Sequence, residues 1–295
     1  MSSIWIKTVG SGLQIAGGIK MKKIMLAALV LALLSSGASA QRLVVLHTND
    51  SHSQIVPIRT GRDNGKGGVD RRLQFIDSVR AVYGKGKVLV LDAGDYNQGT
   101  PYFTVARGDL EVELMNVLGY EAVALGNHEF DNGQTELARR LSKTKFPTLC
   151  CNYDFSATPL ARYIKPWTII RRGGLKIGIV GATSRLENVV MASHLDNIVR
   201  LNAVDEVNRW AAYLKEKKNC DIVIFLSHLG YSGGSVENPS DTILAGESRN
   251  IDFIIGGHSH TFIKKPLIVK NKDGKDVVIV TAGCSGVEMG ELKIW

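Results

Sequence analysis

The sequence predicts a layered α/β fold, and three observations carry that prediction. Short β-rich apolar runs recur along the chain, helical periodicities lie between several of them, and polar clusters follow directly after the runs. The strand-like runs, in order, are RLVVLH, KVLVLD, EAVAL, FPTLCC, KIGIV, DIVIFL, DFIIG and VVIV. Continuous apolar stretches of this length suit strands buried on both faces, because a half-exposed strand would alternate apolar and polar residues. Between them, Leu110, Leu114, Val117 and Leu118 recur at three- and four-residue steps, as do Val204, Val207, Trp210, Ala211 and Leu214. That spacing lines one side of a helix with apolar groups. Strands and helices in this arrangement pack as layers around one core. No linker, repeat or low-complexity stretch interrupts residues 41–295, so they read as a single domain.

The first forty residues read differently. Lys20, Lys22 and Lys23 precede an apolar run from Ile24 to Leu34, and SSGASA then ends in the small-x-small pattern of a secretory cleavage site. The run is shorter than the ~20 apolar residues of a membrane span. Residues 1–40 are therefore expected to be a leader, with Met21 as the true start and cleavage after Ala40; an uncleaved N-terminal anchor is the competing reading. GSGLQIAGG in this leader is no dinucleotide fingerprint, since Ile15 replaces its third glycine and no strand precedes it. The expected location is periplasmic or otherwise exported.

The 295 residues, 44% of them hydrophobic, suffice for one substantial core or two small ones. Setting aside the leader's four lysines leaves 32 basic against 28 acidic residues. That balance, without any basic and aromatic run, argues against a nucleic-acid polymer as partner. Disulfides are conceivable for four cysteines in an exported chain. However, Cys150 and Cys151 are adjacent in a strand-like run, and Cys220 and Cys284 abut apolar runs, which favours buried free thiols.

The polar clusters carry the chemistry. TNDSHS follows the first strand, AGDYNQG the second, GNHEFD the third, SHLG a later one and GGHSH the next. In α/β sheets ligands gather at the carboxyl ends of strands, where these clusters would converge. Asp50 and His52 are two residues apart, as are His258 and His260, and a locally extended chain would point each pair to one side. Asp95, His228 and Asn127 add a carboxylate, an imidazole and an amide oxygen. Nitrogen and oxygen donors without thiolate suit divalent ions of the Zn, Mn or Fe type, and the set exceeds what one tetrahedral ion uses. Two ions sharing a bridging carboxylate would account for all of it. A lone histidine after a strand is usually a packing residue, but five of the seven histidines fall in four strand-end clusters. His47, His194 and Asp92 are left outside the set, the first as a structural residue of its strand and the last as a brace for its loop.

His128 stands beside Asn127 and would point elsewhere, toward a substrate. Asp131 lies three residues on, within reach if EFDNG opens a helical turn, and a hydrogen bond between them would favour the protonated ring. Glu129 is expected to serve structure.

LHTNDSHS, DAGDYNQGTPYF, GNHEFD, LSHLGY and GGHSHT, in this order, closely resemble the calcineurin-like metallophosphoesterases, specifically the 5'-nucleotidase branch that acts outside the cytoplasm. The resemblance spans nearly all of residues 41–295 and implies a four-layer α/β/β/α sandwich. It implies that Asp50, His52, Asp95 and His260 hold one metal and Asp95, Asn127, His228 and His258 the other, with Asp95 as the bridge. It also gives His128 and Asp131 the catalytic roles. One departure is Ser53, where many relatives have glycine. Relatives further carry a C-terminal nucleoside-recognition domain, which is expected to be absent here because the chain stops at GELKIW. The loop GYSGGSVENPS, with Tyr231, is expected to be a flexible rim.

The implied function is a two-metal phosphomonoesterase hydrolysing nucleotides or similar small phosphate esters. Alternatives are a phosphodiesterase or pyrophosphatase acting on cyclic nucleotides or nucleotide sugars, and a catalytic subunit that needs a separate partner chain carrying the C-terminal domain.

Overall fold

The computed structural model describes residues 42–295, so the leader assigned to residues 1–40 lies outside the described residues. The first half of the chain contributes strands β1 (Leu43–Thr48), β2 (Val88–Asp92), β3 (Ala122–Ala124), β4 (Thr148–Leu149), β5 (Tyr153–Asp154) and β6 (Ile164–Lys165). The second contributes β7 (Trp167–Arg172), β8 (Leu175–Thr183), β9 (Val199–Arg200), β10 (Ile222–His228), β11 (Phe253–Gly256), β12 (Leu267–Lys270), β13 (Asp276–Val280) and β14 (Gly290–Ile294). The helices are α1 (Val69–Tyr83), α2 (Pro101–Ala106), α3 (Asp109–Leu118), α4 (Gly133–Leu141), α5 (Ala203–Ala212) and α6 (Asp241–Glu247).

Two six-stranded sheets form, in the orders β14-β1-β2-β3-β4-β6 and β12-β13-β11-β10-β8-β7. Within each the inner strands run parallel. Antiparallel strands occur at the margins, with β14 on β1, β12 on β13 and β7 on β8. The strand alternation explains the layers. Leu43, Val45, Leu89 and Leu91 of the first sheet meet Ile177, Ile179, Ile224 and Leu226 of the second in one shared core. Their neighbours point the other way: Val44, Leu46, Val88 and Val90 pack on Ile76 of α1 and on Val112, Met115 and Leu118 of α3. On the far side, Val180, Val223 and Phe225 pack on Val207 and Ala211 of α5 and Leu244 of α6. Each fully buried Leu, Ile or Val adds about 1.5–3 kcal/mol of transfer free energy, which makes these three apolar interfaces the main cohesion of the fold. The result is the expected α/β/β/α sandwich.

All the strand-like runs form strands, and both helical stripes form helices. The marginal strands β7, β12 and β14 carry no such signal. The segments LIVK and GELKI keep one side toward solvent, and WTIIRR ends in two arginines, so their apolar content is diluted by charge. Helix α1 was also hidden in the sequence, because the face it buries includes Arg72 beside Val69, Ile76 and Val79.

All four cysteines are free. Cys150, Cys151 and Cys220 are buried, and burial pushes the Cys150 thiol up to about 12. Cys284 corrects the expectation of a buried thiol: it is partly exposed, because the turn after β13 carries it to the rim of the strand ends. Among the described residues no helix is long and apolar enough to cross a membrane.

Candidate active site

Parallel register aligns the strand ends. Thr48 pairs with Asp92, Asp92 with Val123, and His228 with Thr183, so the loops that follow emerge along one edge of the sandwich. Backbone hydrogen bonds lace these loops together: Asp50 N donates to Gly94 O at 2.8 Å, His52 N to Asp95 O at 3.1 Å, and Ser285 N to Asp50 O at 2.7 Å. Asp92 braces this edge, accepting from Thr48 Oγ1 at 2.5 Å and from Gly94 N at 2.9 Å.

The loops bring six of the seven expected donors into groups whose ligand atoms lie within 4.8 Å of one another. Asp50, His52 and His260 form one group, Asp95, His228 and His258 another, and His52, Asp95 and His128 a third between them. Asp95 thus belongs to two groups. Asn127, the seventh expected donor, keeps its Oδ1 buried and without a hydrogen-bond partner.

The donor set fits divalent ions on its own geometry. His52 Nε2 and His260 Nε2 stand 2.8 Å apart, and the two nitrogens also lie 3.9 and 3.5 Å from Asp50 Oδ1. Two imidazole nitrogens aimed at one spot beside a carboxylate form a cation cradle. His228 Nε2 stands 3.0 Å from Asp95 Oδ2 but lacks hydrogen-bonding angles, while its Nδ1 lies 2.7 Å from Ala93 O. The carbonyl contact holds Nδ1–H and turns Nε2 inward toward Asp95, where a cation would take the place of the Nε2 proton, the usual arrangement of a ligating histidine. Divalent ions held there would supply Lewis acidity to a phosphate group.

The backbone at these positions departs from expectation. Asp50, His52, Asp95, His258 and His260 all have positive φ, between 46° and 74°, and so does Ser53. The pairs 50/52 and 258/260 therefore converge through left-handed turns rather than through extended chain. The reason is that the strands have already ended, and the loops must curl back to exchange hydrogen bonds with one another. Left-handed non-glycine residues cost about 1–3 kcal/mol each where the geometry is strained, although Asp and Asn tolerate it better than most. Ser53 lies in this turn with its hydroxyl buried and unpartnered. It lines a small internal cavity with Tyr96 and Glu111, apart from the donor groups.

His128 and Asp131 sit either side of a 3-10 turn, His128–Phe130. His128 Nδ1 lies 2.9 Å from Asp131 Oδ2, and that hydrogen bond raises the ring above its ordinary pKa despite partial burial. A protonated Nε2–H facing the His52–Asp95 group could donate to a leaving-group oxygen. The other rings divide between two states. Burial holds His258 down to about 4 and lowers His52, while the Asp50 carboxylate lifts His260 to about 10. Burial opposes charge on His228, yet the facing Asp95 carboxylate outweighs it and lifts the ring to about 10.

Glu129 holds the centre from behind. Its carboxylate accepts from the backbone N–H of Asp95 at 3.1 Å, Tyr96 at 3.1 Å, Asn97 at 3.3 Å and Gly126 at 2.7 Å. Burial pushes this carboxyl up to about 8, and the four donors favour the charged form. Gly126 is required by close approach, because a Cβ there would collide with Asp95 Oδ1. His128 N donates to Asp95 Oδ1 at 2.9 Å, which closes the link between the two loops.

Three supporting residues escaped sequence reasoning. Asn49 donates to Asp50 Oδ2 and to Gly283 O, both at 2.6 Å, and so clamps Asp50 against the turn after β13. Arg140, fully buried, donates to Glu129 O at 2.6 Å. Asp241, also buried, accepts from Ser227 Oγ, next to His228. Asn49 lies inside TNDSHS, so the motif contained its signal; Arg140 and Asp241 sit on helices among ordinary polar residues and had none. His47 is buried on β1 against Gly290, and His194 lies against Gly133. Tyr231 packs against the outer core of the second sheet, which draws the start of the expected rim loop into the fold.

A two-sheet sandwich with a carboxylate–imidazole cluster at its strand ends defines a layered α/β protein with a candidate metal centre. The calcineurin-like phosphoesterase family model matches residues 43–262, and the chain belongs to that family. It is 36% identical to 5'-nucleotidase of Homo sapiens over 289 residues, which is 89% of this chain and 48% of the relative. It is 35% identical to the snake venom 5'-nucleotidase of Gloydius brevicauda, covering 89% of this chain and 47% of the relative. The structure superposes on a 5'-nucleotidase precursor from Thermus thermophilus with a TM-score of 0.76 and 33% identity, over 86% of this chain and 51% of that one. For the Haemophilus influenzae NAD nucleotidase the values are 0.74 and 29%, over 85% and 46%. The chain thus spans about half the length of the relatives it matches.

Proposed function

We propose that this chain is a two-metal phosphomonoesterase that hydrolyses nucleotides or similar small phosphate esters outside the cytoplasm. Asp50, His52, Asp95 and His260 would hold one ion, and Asp95, Asn127, His228 and His258 the other. The observation that carries this reading is the position of Asp95, which groups with His228 and His258 on one side and on the other with His52, itself grouped with Asp50 and His260. His128, held by Asp131, would protonate the departing alkoxide. The names of the relatives, 5'-nucleotidases of a mammal and a venom, support the substrate class. Export rests on the leader pattern of residues 1–40, and N-terminal sequencing of secreted protein should begin at Gln41.

The deciding experiment pairs metal analysis with turnover. Exhaustive chelation should abolish hydrolysis of nucleoside monophosphates, and two equivalents of divalent metal per chain should restore it. Asp95→Ala should lose both equivalents and nearly all turnover. Full activity after chelation, or an Asp95→Ala variant with normal metal content, refutes the two-metal reading.

Similarity to an NAD nucleotidase favours a second reading, in which the bond cleaved is a pyrophosphate or phosphodiester. A panel of nucleoside monophosphates, cyclic nucleotides, nucleotide sugars and dinucleotides separates the two by relative kcat/KM. A companion chain supplying nucleoside recognition is tested in the same panel, by whether an added C-terminal domain from a relative raises selectivity.

A further inference from the structure

Away from the catalytic cluster, a cavity of about 430 Å³ opens where the start of α1 meets the segment Gly286–Met289, and none of the seven proposed metal donors lines it. Its walls carry four cations, Lys66, Arg71, Arg72 and Lys264, against one carboxylate, Glu288. Lys264 is paired with Glu288, and Lys66 with Asp63 at 2.9 Å. Arg71 and Arg72 have no carboxylate within ion-pairing distance among the described residues. Arg71 is exposed at the rim and donates only to the Gly65 carbonyl. Arg72 is 5% exposed; it donates weakly to Gln54 O at 3.3 Å, and its Nε has no partner.

The fold adds one feature that points to the same class of ligand. Of Val69, Asp70 and Arg71, which open α1, only Arg71 lines the cavity, and Val69 N is already bonded to Ile55 O at 2.9 Å. Phe75, four residues beyond Arg71, presents an exposed ring to the same cavity. Residues four apart share a helix face, so guanidinium and ring stand side by side. Guanidinium groups match the geometry of phosphate oxygens, and an aromatic face suits the flat ring of a base. The volume falls in the ordinary range of small-ligand pockets, about 300–1,000 Å³.

We propose that this cavity is a second binding site, separate from the metal cluster, for a nucleoside phosphate: the phosphate on Arg71 and Arg72, and the base on Phe75. Gly67 at its edge lies against the Ser285 carbonyl, and Ser285 N bonds Asp50 O, so an occupant would sit one loop away from the catalytic centre.

The test is photolabelling of the whole metal-loaded chain with an 8-azido adenosine diphosphate whose bridging oxygen is replaced by methylene, followed by peptide mapping. Label is expected on the peptides around Arg71–Phe75 or Val287–Met289, and excess adenosine diphosphate should compete it away. The double variant R71E/K264E should cut that label at least about tenfold, while turnover changes by less than about twofold. Phe75→Ala should cut the label of the azido nucleotide but spare competition by inorganic pyrophosphate. Label confined to peptides of the catalytic loops, label indifferent to R71E/K264E, or label unaffected by Phe75→Ala would each overturn the nucleotide assignment.

Discussion

Replacing Glu129 by Gln changes one atom and tests how the centre is held. In the native chain Oε2 accepts from Asp95 N and Gly126 N, and Oε1 accepts from Tyr96 N and Asn97 N. Gln keeps one oxygen and turns the other acceptor into an NH2 donor, so two buried N–H groups lose their partner. A buried unsatisfied donor costs about 1–3 kcal/mol, which puts the loss at about 2–6 kcal/mol. That is a large part of a margin of about 5–15 kcal/mol. For a domain of this size it corresponds to about 5–20 °C in Tm. The loop also carries Asp95, so metal occupancy should fall with stability. The assay is thermal unfolding with and without divalent metal, together with metal content and turnover at a temperature where the variant is folded. Glu129→Asp, which keeps the charge on a shorter arm, should fall between. A Glu129→Gln protein within about 2 °C of the native Tm, with full metal content, would refute the claim that Glu129 organises the loop.

Other consequences are open to measurement. His128→Ala should keep its metal and lose about 10²- to 10⁴-fold in rate on esters with poor leaving groups, with smaller losses on aryl phosphates; equal losses on both would remove the general-acid role. Burial holds His47 down to about 4, so the unfolded chain binds its proton at higher pH than the folded chain does. Stability is therefore lost as pH falls from about 6.5 to about 4, and urea unfolding of metal-free protein should lose about 2 kcal/mol more between about pH 7 and pH 5 than the His47→Asn variant does. Base selectivity is expected to be weak, because the donor groups bind phosphate and none of them reads a base; a preference above about a hundredfold among the four nucleoside monophosphates would show a base-reading surface next to the metals.

The layered fold and the chemical type of the site were legible from local pattern alone. Strands buried on both faces must be apolar at every position, so RLVVLH, KVLVLD and DIVIFL are legible without neighbours. Polar groups placed just after such runs must gather at the strand ends, so the donors at Asp50, Asp95, His228 and His258 were legible too. The features that local pattern could not carry are properties of pairs distant in the chain. The marginal strands β12 and β14 exist because a neighbour completes their hydrogen bonds, and half their residues stay wet. The left-handed turns at Asp50, His52 and His260 come from loops that bond to one another across the strand ends, which no local propensity encodes. Asp95 reaches two donor groups because parallel register brings separate loops to one edge. Periodicity reports which face of an element is buried; it carries no information about which distant backbone a buried polar group will meet.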